Sequence, residues 1–204
     1  MRERLARAWG EACWALGVRA DVRTLDDLIA RWSEPQRHYH DVTHLDDCVQ
    51  RFDAHRGLAE RPGEVLTALF FHDAIYDPMR SDNEARSAEL MRTSMRDAAL
   101  ESIDRIAQAI EATRTHVADD PDVALVLDID LSILGADAET YDAFEHAIRA
   151  EYAHVPLDAF VAGRTAILTG FDVRAPIFHH APLRDALERI AHANLRRTIE
   201  ALRS

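Results

Sequence analysis

Three short stretches of this chain carry side chains suited to holding a cation. Tyr39-His40-Asp41-Val42-Thr43-His44 places two histidines four apart, so on a helix they share one face. Phe71-His72-Asp73 sets an imidazole beside a carboxylate, directly after the apolar run Val65-Leu66-Thr67-Ala68-Leu69-Phe70-Phe71. Leu127-Asp128-Ile129-Asp130-Leu131 embeds two further carboxylates between apolar residues. Burying a carboxylate there is unfavourable without a cation, and divalent metals take imidazole nitrogen and carboxylate oxygen together. The candidate ligands are therefore His44, His72, Asp73 and one of Asp128 and Asp130. Those two aspartates point roughly 200° apart on a helix, so they do not both face one ion.

The elements that must position these groups are helices. Apolar residues recur at helical spacing almost throughout, and alternating strand patterns are nearly absent. Leu5, Trp9, Cys13 and Leu16 open a first amphipathic helix. Thr24 predicts the cap of a second, Leu25 to Trp32, which Ser33-Glu34-Pro35 breaks. Further helices are predicted over Thr43 to His55, Pro62 to Ile75 and Ser81 or Asp82 to Met95. The series continues over Leu100 to His116, Pro121 to Leu134, Asp137 to Tyr152, Leu157 to Phe171 and Leu183 to Arg203. The predicted class is all-α, as one domain over residues 1–204, with the metal-binding core at about 30–135 and helices of 137–203 packed on it.

Composition narrows the chemistry. The chain has 204 residues and no lysine, which excludes a Walker-type phosphate loop, a Schiff base and a pyridoxal site. A Gly-rich dinucleotide fingerprint and a serine-hydrolase elbow are also absent. The net charge of −12 opposes a nucleic-acid polymer or an anionic membrane as partner. It leaves room for a small phosphorylated substrate, because a metal supplies local positive charge. No apolar run is long enough for a transmembrane helix, and the N-terminus lacks a signal-peptide core, so a cytoplasmic location is expected. Cys13 and Cys48 are too few for a disulfide framework and fit buried free thiols.

The ordered set His…His-Asp…Asp in an all-α chain resembles the HD superfamily of metal-dependent phosphohydrolases, and within it a bacterial family of predicted HD-type hydrolases. The resemblance is carried by Pro35-Gln36-Arg37-His38-Tyr39-His40-Asp41-Val42-Thr43-His44, Phe71-His72-Asp73-Ala74-Ile75-Tyr76-Asp77-Pro78, Asn83-Glu84-Ala85-Arg86-Ser87-Ala88 and Leu127 to Gly135. It continues more weakly through Arg149-Ala150-Glu151-Tyr152, Gly163-Arg164 and Ala193-Asn194-Leu195. It implies an HD-domain-like helical bundle with His44, His72, Asp73 and Asp130 as metal ligands. Asp130 is preferred to Asp128 because Asp130-Leu131-Ser132 resembles a stretch of the related cyclic-nucleotide phosphodiesterases. Their Tyr-His-x-x-x-His stretch likewise implies His40 as general acid. The spacing of Asp77-Pro78 after the His-Asp pair departs from those enzymes, so cyclic nucleotides are not assumed as substrates.

The expectation is a phosphohydrolase using one or two divalent ions (Mn, Mg, Fe, Co, Ni or Zn) on a small phosphorylated metabolite such as a nucleotide. The alternative is a non-catalytic HD-type module that binds a nucleotide and regulates. Catalytic candidates are His40, Asp73 and Glu84, the last within a matched stretch; a first-turn glutamate also stabilises a helix N-terminus. Substrate candidates are Arg37, whose planar fork suits phosphate, Tyr76 beside the His-Asp pair, and His116 at a helix end. Arg37 as a solvated loop cation and His116 as a charge partner for a helix C-terminus are the competing explanations. His179-His180 fits a surface loop, Trp9, Trp14 and Trp32 fit the core, and Asp46-Asp47 and Asp119-Asp120 fit solvated faces.

Overall fold

The computed structural model describes residues 1–203, and among them there is no strand. The chain is all-α. Its helices are α1 (Arg2–Ala15), α2 (Val22–Trp32), α3 (Val42–His55), α4 (Pro62–Phe71), α5 (Asn83–Ser94), α6 (Leu100–Ala112), α7 (Pro121–Asp130), α8 (Ala138–Glu151), α9 (Leu157–Asp172) and α10 (Ala181–Arg203). Short 3-10 turns follow α3 at Arg56–Leu58 and α7 at Leu131–Gly135. No helix among the described residues is long and apolar enough to cross a membrane. The chain forms two compact units, Met1–Ile129 and Asp130–Ser204.

The first unit is built round α4. Its sequence is apolar on every side, which suits a central helix, and every residue from Gly63 to Phe71 is buried. Helices α1, α3, α5 and α6 pack against it. Pro62 starts α4 with its φ preset for the first turn. Gly63 lets α1 approach, since a Cβ there would fall 2.5 Å from the Cβ of Ala15. The one buried charge on α4, Glu64, is held bidentately by Arg105 at 2.7 and 2.6 Å. Trp9 and Trp32 lie in this core, but Trp14 is 84% exposed, because it falls on the outer side of α1. Both cysteines are buried, and neither is in a disulfide. Burial pushes the Cys13 thiol up to about 11.

Two helices of equal length set the depth of the ligand residues. Both α4 and α7 have ten residues and begin at a proline. The buried carboxylate of Asp122, in the first turn of α7, accepts from the backbone N–H groups of Glu60 and Arg61 at 2.8 and 2.9 Å, just ahead of α4. Asp120 accepts from the N–H groups of Asp122 and Val123 and from the Arg61 guanidinium. The two helices thus start side by side. At 1.5 Å per residue both run about 15 Å.

Several helix ends differ from the sequence expectation. Asp21, not Thr24, caps α2, its carboxylate accepting from Arg23 N–H. Asp41 caps α3 by accepting from the N–H groups of Thr43 and His44, so His40 lies ahead of the helix and does not share a helical face with His44. Asp82 precedes α5 without a side-chain cap. Helix α4 stops at Phe71 rather than Ile75, because the next backbone groups bond elsewhere. Arg37 donates to the carbonyls of Asp73 and Ala74, Ile75 N–H donates to Ser87 Oγ, and Asp77 N–H donates to Asn83 Oδ1. Helix α6 ends at Ala112 rather than His116, which has a positive φ of 54°. Helix α7 ends at Asp130, where the chain tightens into the 3-10 turn.

In the second unit, α10 packs on α9 and on the 3-10 turn of Leu131–Gly135, and α8 packs on that same turn. The Asn194 amide donates to the carbonyls of Leu134 and Ala136 at 3.0 and 2.9 Å, taking up acceptors left by the turn. Glu188 accepts from the N–H groups of Ile177 and Phe178, ordering the connection into α10.

Asp46 is not on a solvated face: it is buried and bonded by Arg4 at 2.8 Å through both carboxylate oxygens, joining α3 to α1. The hydrogen bond from Arg4 is the main reason its carboxyl is held below the usual carboxylate range. A lowered folded-state pKa stabilises above the unfolded value of about 3.9 and is lost as pH falls through the folded one. Asp46→Asn is therefore expected to lower the Tm at neutral pH, with the gap to wild type closing in acid below the ordinary carboxylate range, as read by thermal scans across pH. Asp122→Asn sets an amide N–H against a backbone N–H and is expected to cost about 1–3 kcal/mol in urea unfolding.

Candidate metal centre

The ends of α4 and α7 meet the start of α3. One ligand atom from each of His44, His72 and Asp130 lies within 4.8 Å of the others. His44 and His72 are buried and Asp130 is half-buried. His44 sits in the first turn of α3, fixed by the Asp41 cap. His72 follows the last residue of α4, and Asp130 is the last residue of α7. The aligned starts of those two helices bring the two residues to the same level. Asp128, two residues earlier, is fully buried and does not belong to this group.

The chemistry of the donors fits a divalent cation. His72 Nδ1 donates to the Leu69 carbonyl at 2.9 Å, a bond that fixes the neutral ring as the tautomer with its lone pair on Nε2. That Nε2 lies 3.3 Å from Asp73 Oδ2. Either a proton on Nε2 or a cation shared by the two side chains makes so close an approach favourable. Two imidazoles with a carboxylate suit Zn, Fe, Mn, Co or Ni. Asp73 adjoins His72 but lies outside the mutually close set of three.

Aromatic rings wall the centre. His44 and His72 have ring centroids 5.4 Å apart. Trp32 lies against both, at 6.1 and 5.3 Å, and its indole N–H donates to the Phe70 carbonyl at 3.0 Å. Tyr39 lies 4.8 Å from His44. His40 is 6.0 Å from His44 and stacks on Tyr76 at 4.3 Å. The Cys48 sulfur is 3.7 and 3.9 Å from the two nitrogens of His44.

Arg37 is buried and joins two of the ligand-bearing segments. One guanidinium nitrogen donates to the carbonyls of His40 at 2.8 Å and Asp73 at 2.7 Å; a second donates to Ala74 at 3.2 Å. Its Nε donates to Glu34 at 3.2 Å, and its plane lies 5.4 Å from the ring centres of both Trp32 and Tyr76. On sequence the fork fits either a phosphate or a solvated loop; in the structure it is buried against backbone carbonyls. The cation also compensates the exposed carbonyls where α4 ends. Beyond it, the Asn83 amide and the backbone of Asp77 bond reciprocally at 2.9 and 3.2 Å, pinning the segment after His72 to α5.

Glu84 lies half-buried in the first turn of α5, and His116 half-buried past the end of α6; neither belongs to the three-residue group. Trp32, Tyr39 and Cys48 are the neighbours that sequence reasoning missed. Cys48 had a usable signal, one helical turn beyond His44. Trp32 had none, since an indole in an apolar stripe fits any core. In comparisons with known proteins, the chain matches no family model, no curated protein and no solved structure.

Arg37→Ala removes the donors of three backbone carbonyls and is expected to cost about 2–4 kcal/mol in urea unfolding. Arg37→Lys is expected to recover only part of that, because an ammonium does not span the same fork.

Proposed function

We propose that the protein is a metal-dependent phosphohydrolase that cleaves a phosphoester of a small phosphorylated metabolite, a nucleotide in the first instance, in the cytoplasm. The observation that carries this is the convergence of His44, His72 and Asp130 from three separate helix ends. Asp73 adds a second carboxylate beside His72.

His44, His72 and Asp130 would hold a divalent ion, which would supply positive charge toward a phosphate oxygen and lower the pKa of a bound water. That charge matters in a chain of net charge −12, which otherwise repels a phosphate. His72 keeps its lone pair on Nε2 because Nδ1 is committed to the Leu69 carbonyl. Asp73, whose Oδ2 lies 3.3 Å from His72 Nε2, is the base that accepts the proton the attacking water loses. His40 is the proton donor to the leaving oxygen. Its ring is oriented by stacking on Tyr76, and its backbone carbonyl is held by Arg37. Trp32 and Tyr39 keep bulk water from the histidines and strengthen the local field.

Elemental analysis of the purified chain, followed by a phosphatase panel over nucleotides with Mn, Mg, Fe, Co, Ni or Zn, tests the proposal. Bound metal with turnover is expected. His72→Ala and Asp130→Ala are expected to lose both, whereas His40→Ala keeps the metal and slows turnover by about 10²–10⁴-fold. Metal and nucleotide binding without turnover would replace the hydrolase by a regulatory nucleotide-binding module. A chain that takes up no metal would remove both.

A further inference from the structure

Tyr76 lies between α4 and α5, in neither helix, yet the backbone on each side of it is bonded to α5. On one side, Ile75 N–H donates to Ser87 Oγ at 3.0 Å, and the same hydroxyl donates to the Ile75 carbonyl at 3.4 Å. On the other, the Asn83 amide donates to the Asp77 carbonyl at 2.9 Å and accepts from Asp77 N–H at 3.2 Å. Asn83 and Ser87 are one turn apart on α5, so they share a face, and both are buried. Their four bonds at positions 75 and 77 fix the peptide planes that flank Tyr76. The direction in which the Tyr76 side chain leaves the backbone is fixed with them.

The Tyr76 ring carries His40. The two rings stack with centroids 4.3 Å apart and planes 26° apart. Tyr39 adds an edge contact to His40 at 5.0 Å. Arg37 closes the loop: it donates to the His40 carbonyl at 2.8 Å, and its guanidinium carbon lies 5.4 Å from the Tyr76 ring centre. His40 itself precedes α3, so no helical turn holds its ring, and aromatic packing sets its angle.

We infer that Asn83 and Ser87 are positioning residues for His40: they fix the backbone on both sides of Tyr76, and the Tyr76 ring aims the imidazole. This rests on the reading of His40 as the proton donor to the leaving oxygen. A donor works only within about 2.6–3.2 Å of the atom it protonates, and a misplacement of about 1 Å costs rate heavily. The polar atoms of Asn83 and Ser87 are committed to backbone, so their bearing on the reaction passes through Tyr76. The metal residues are oriented by other bonds, His44 by the Asp41 cap and His72 by the Leu69 carbonyl. Disturbing α5 at these two positions therefore moves the donor and leaves the metal in place.

Two measurements on the full chain test this, one of them independent of turnover. A nucleoside monophosphate needs a proton at its leaving oxygen, whereas p-nitrophenyl phosphate releases a stable phenolate and needs it far less. Asn83→Ala and Tyr76→Leu are expected to slow the nucleotide by about tenfold or more and p-nitrophenyl phosphate by less than about threefold, with bound metal unchanged by elemental analysis. Tyr76→Phe keeps the ring and is expected to recover most of what Tyr76→Leu loses. In proton NMR of the zinc-loaded chain, the carbon-bound ring protons of His40, assigned by their absence in His40→Ala, are expected upfield of free histidine because they lie over the Tyr76 ring. That displacement is expected to persist in Tyr76→Phe, vanish in Tyr76→Leu and shrink in Asn83→Ala and Ser87→Ala. His40 signals indifferent to both α5 variants, or equal losses on the two substrates, overturn the positioning role. Signals that respond as expected in a chain that hydrolyses neither substrate uphold the link from α5 through Tyr76 to His40 and remove the hydrolase reading instead.

Discussion

The centre depends on one constraint: α4 and α7 must begin at the same height. Asp122 imposes it by accepting from the backbone N–H groups of Glu60 and Arg61. Those groups lie where α4 starts and have no partner within that helix. Equal helix lengths then carry the alignment to the other end, where His72 and Asp130 emerge within reach of His44. No local preference of the ligand residues could achieve this, since they are separated by long stretches of chain. A carboxylate about 15 Å away, with no chemical role of its own, sets where the ligands meet.

The chain meets the cost of concentrating polar groups by committing almost every one to a named partner. His72 is tied through Nδ1 to Leu69, His44 through its backbone to Asp41, and Asp77 through its backbone to Asn83. The Nδ1 bond holds the His72 ring in a defined orientation, which would lower the ordering entropy that opposes the binding of an ion. The rings of Trp32 and Tyr39 add a wall of low polarity against the imidazoles, which strengthens electrostatic attraction within it.

Much of the fold was legible in the sequence because helical periodicity is a local property. The apolar run before His72 predicts a buried helix, and Pro62 and Pro121 mark helix starts. The ligand types were legible for the same reason: His44, His72 and an aspartate after Leu127 stand out against apolar neighbours. What was not legible depends on contacts between distant residues. Nothing local tells that Arg37 turns inward onto carbonyls of the His72 segment, or that this ends α4 before Ile75. The exposure of Trp14, by contrast, was legible: its side of α1 also carries Glu3, Arg7 and Glu11, whereas Trp9 shares its side with Leu5, Ala12 and Cys13. The choice of Asp130 over Asp128 is a matter of helix phase, which depends on how α7 packs and not on its local sequence.

The Arg37 junction has a further bearing on behaviour in acid and base. A guanidinium keeps its proton at any pH a protein survives, and its acceptors here are mostly peptide carbonyls, which do not titrate. The scaffold that sets the loop before α3 against the turn after α4 therefore carries no proton-driven hinge. Had lysine occupied that place, burial would have drawn its ionisation toward neutrality and made the geometry of the ligands a function of pH.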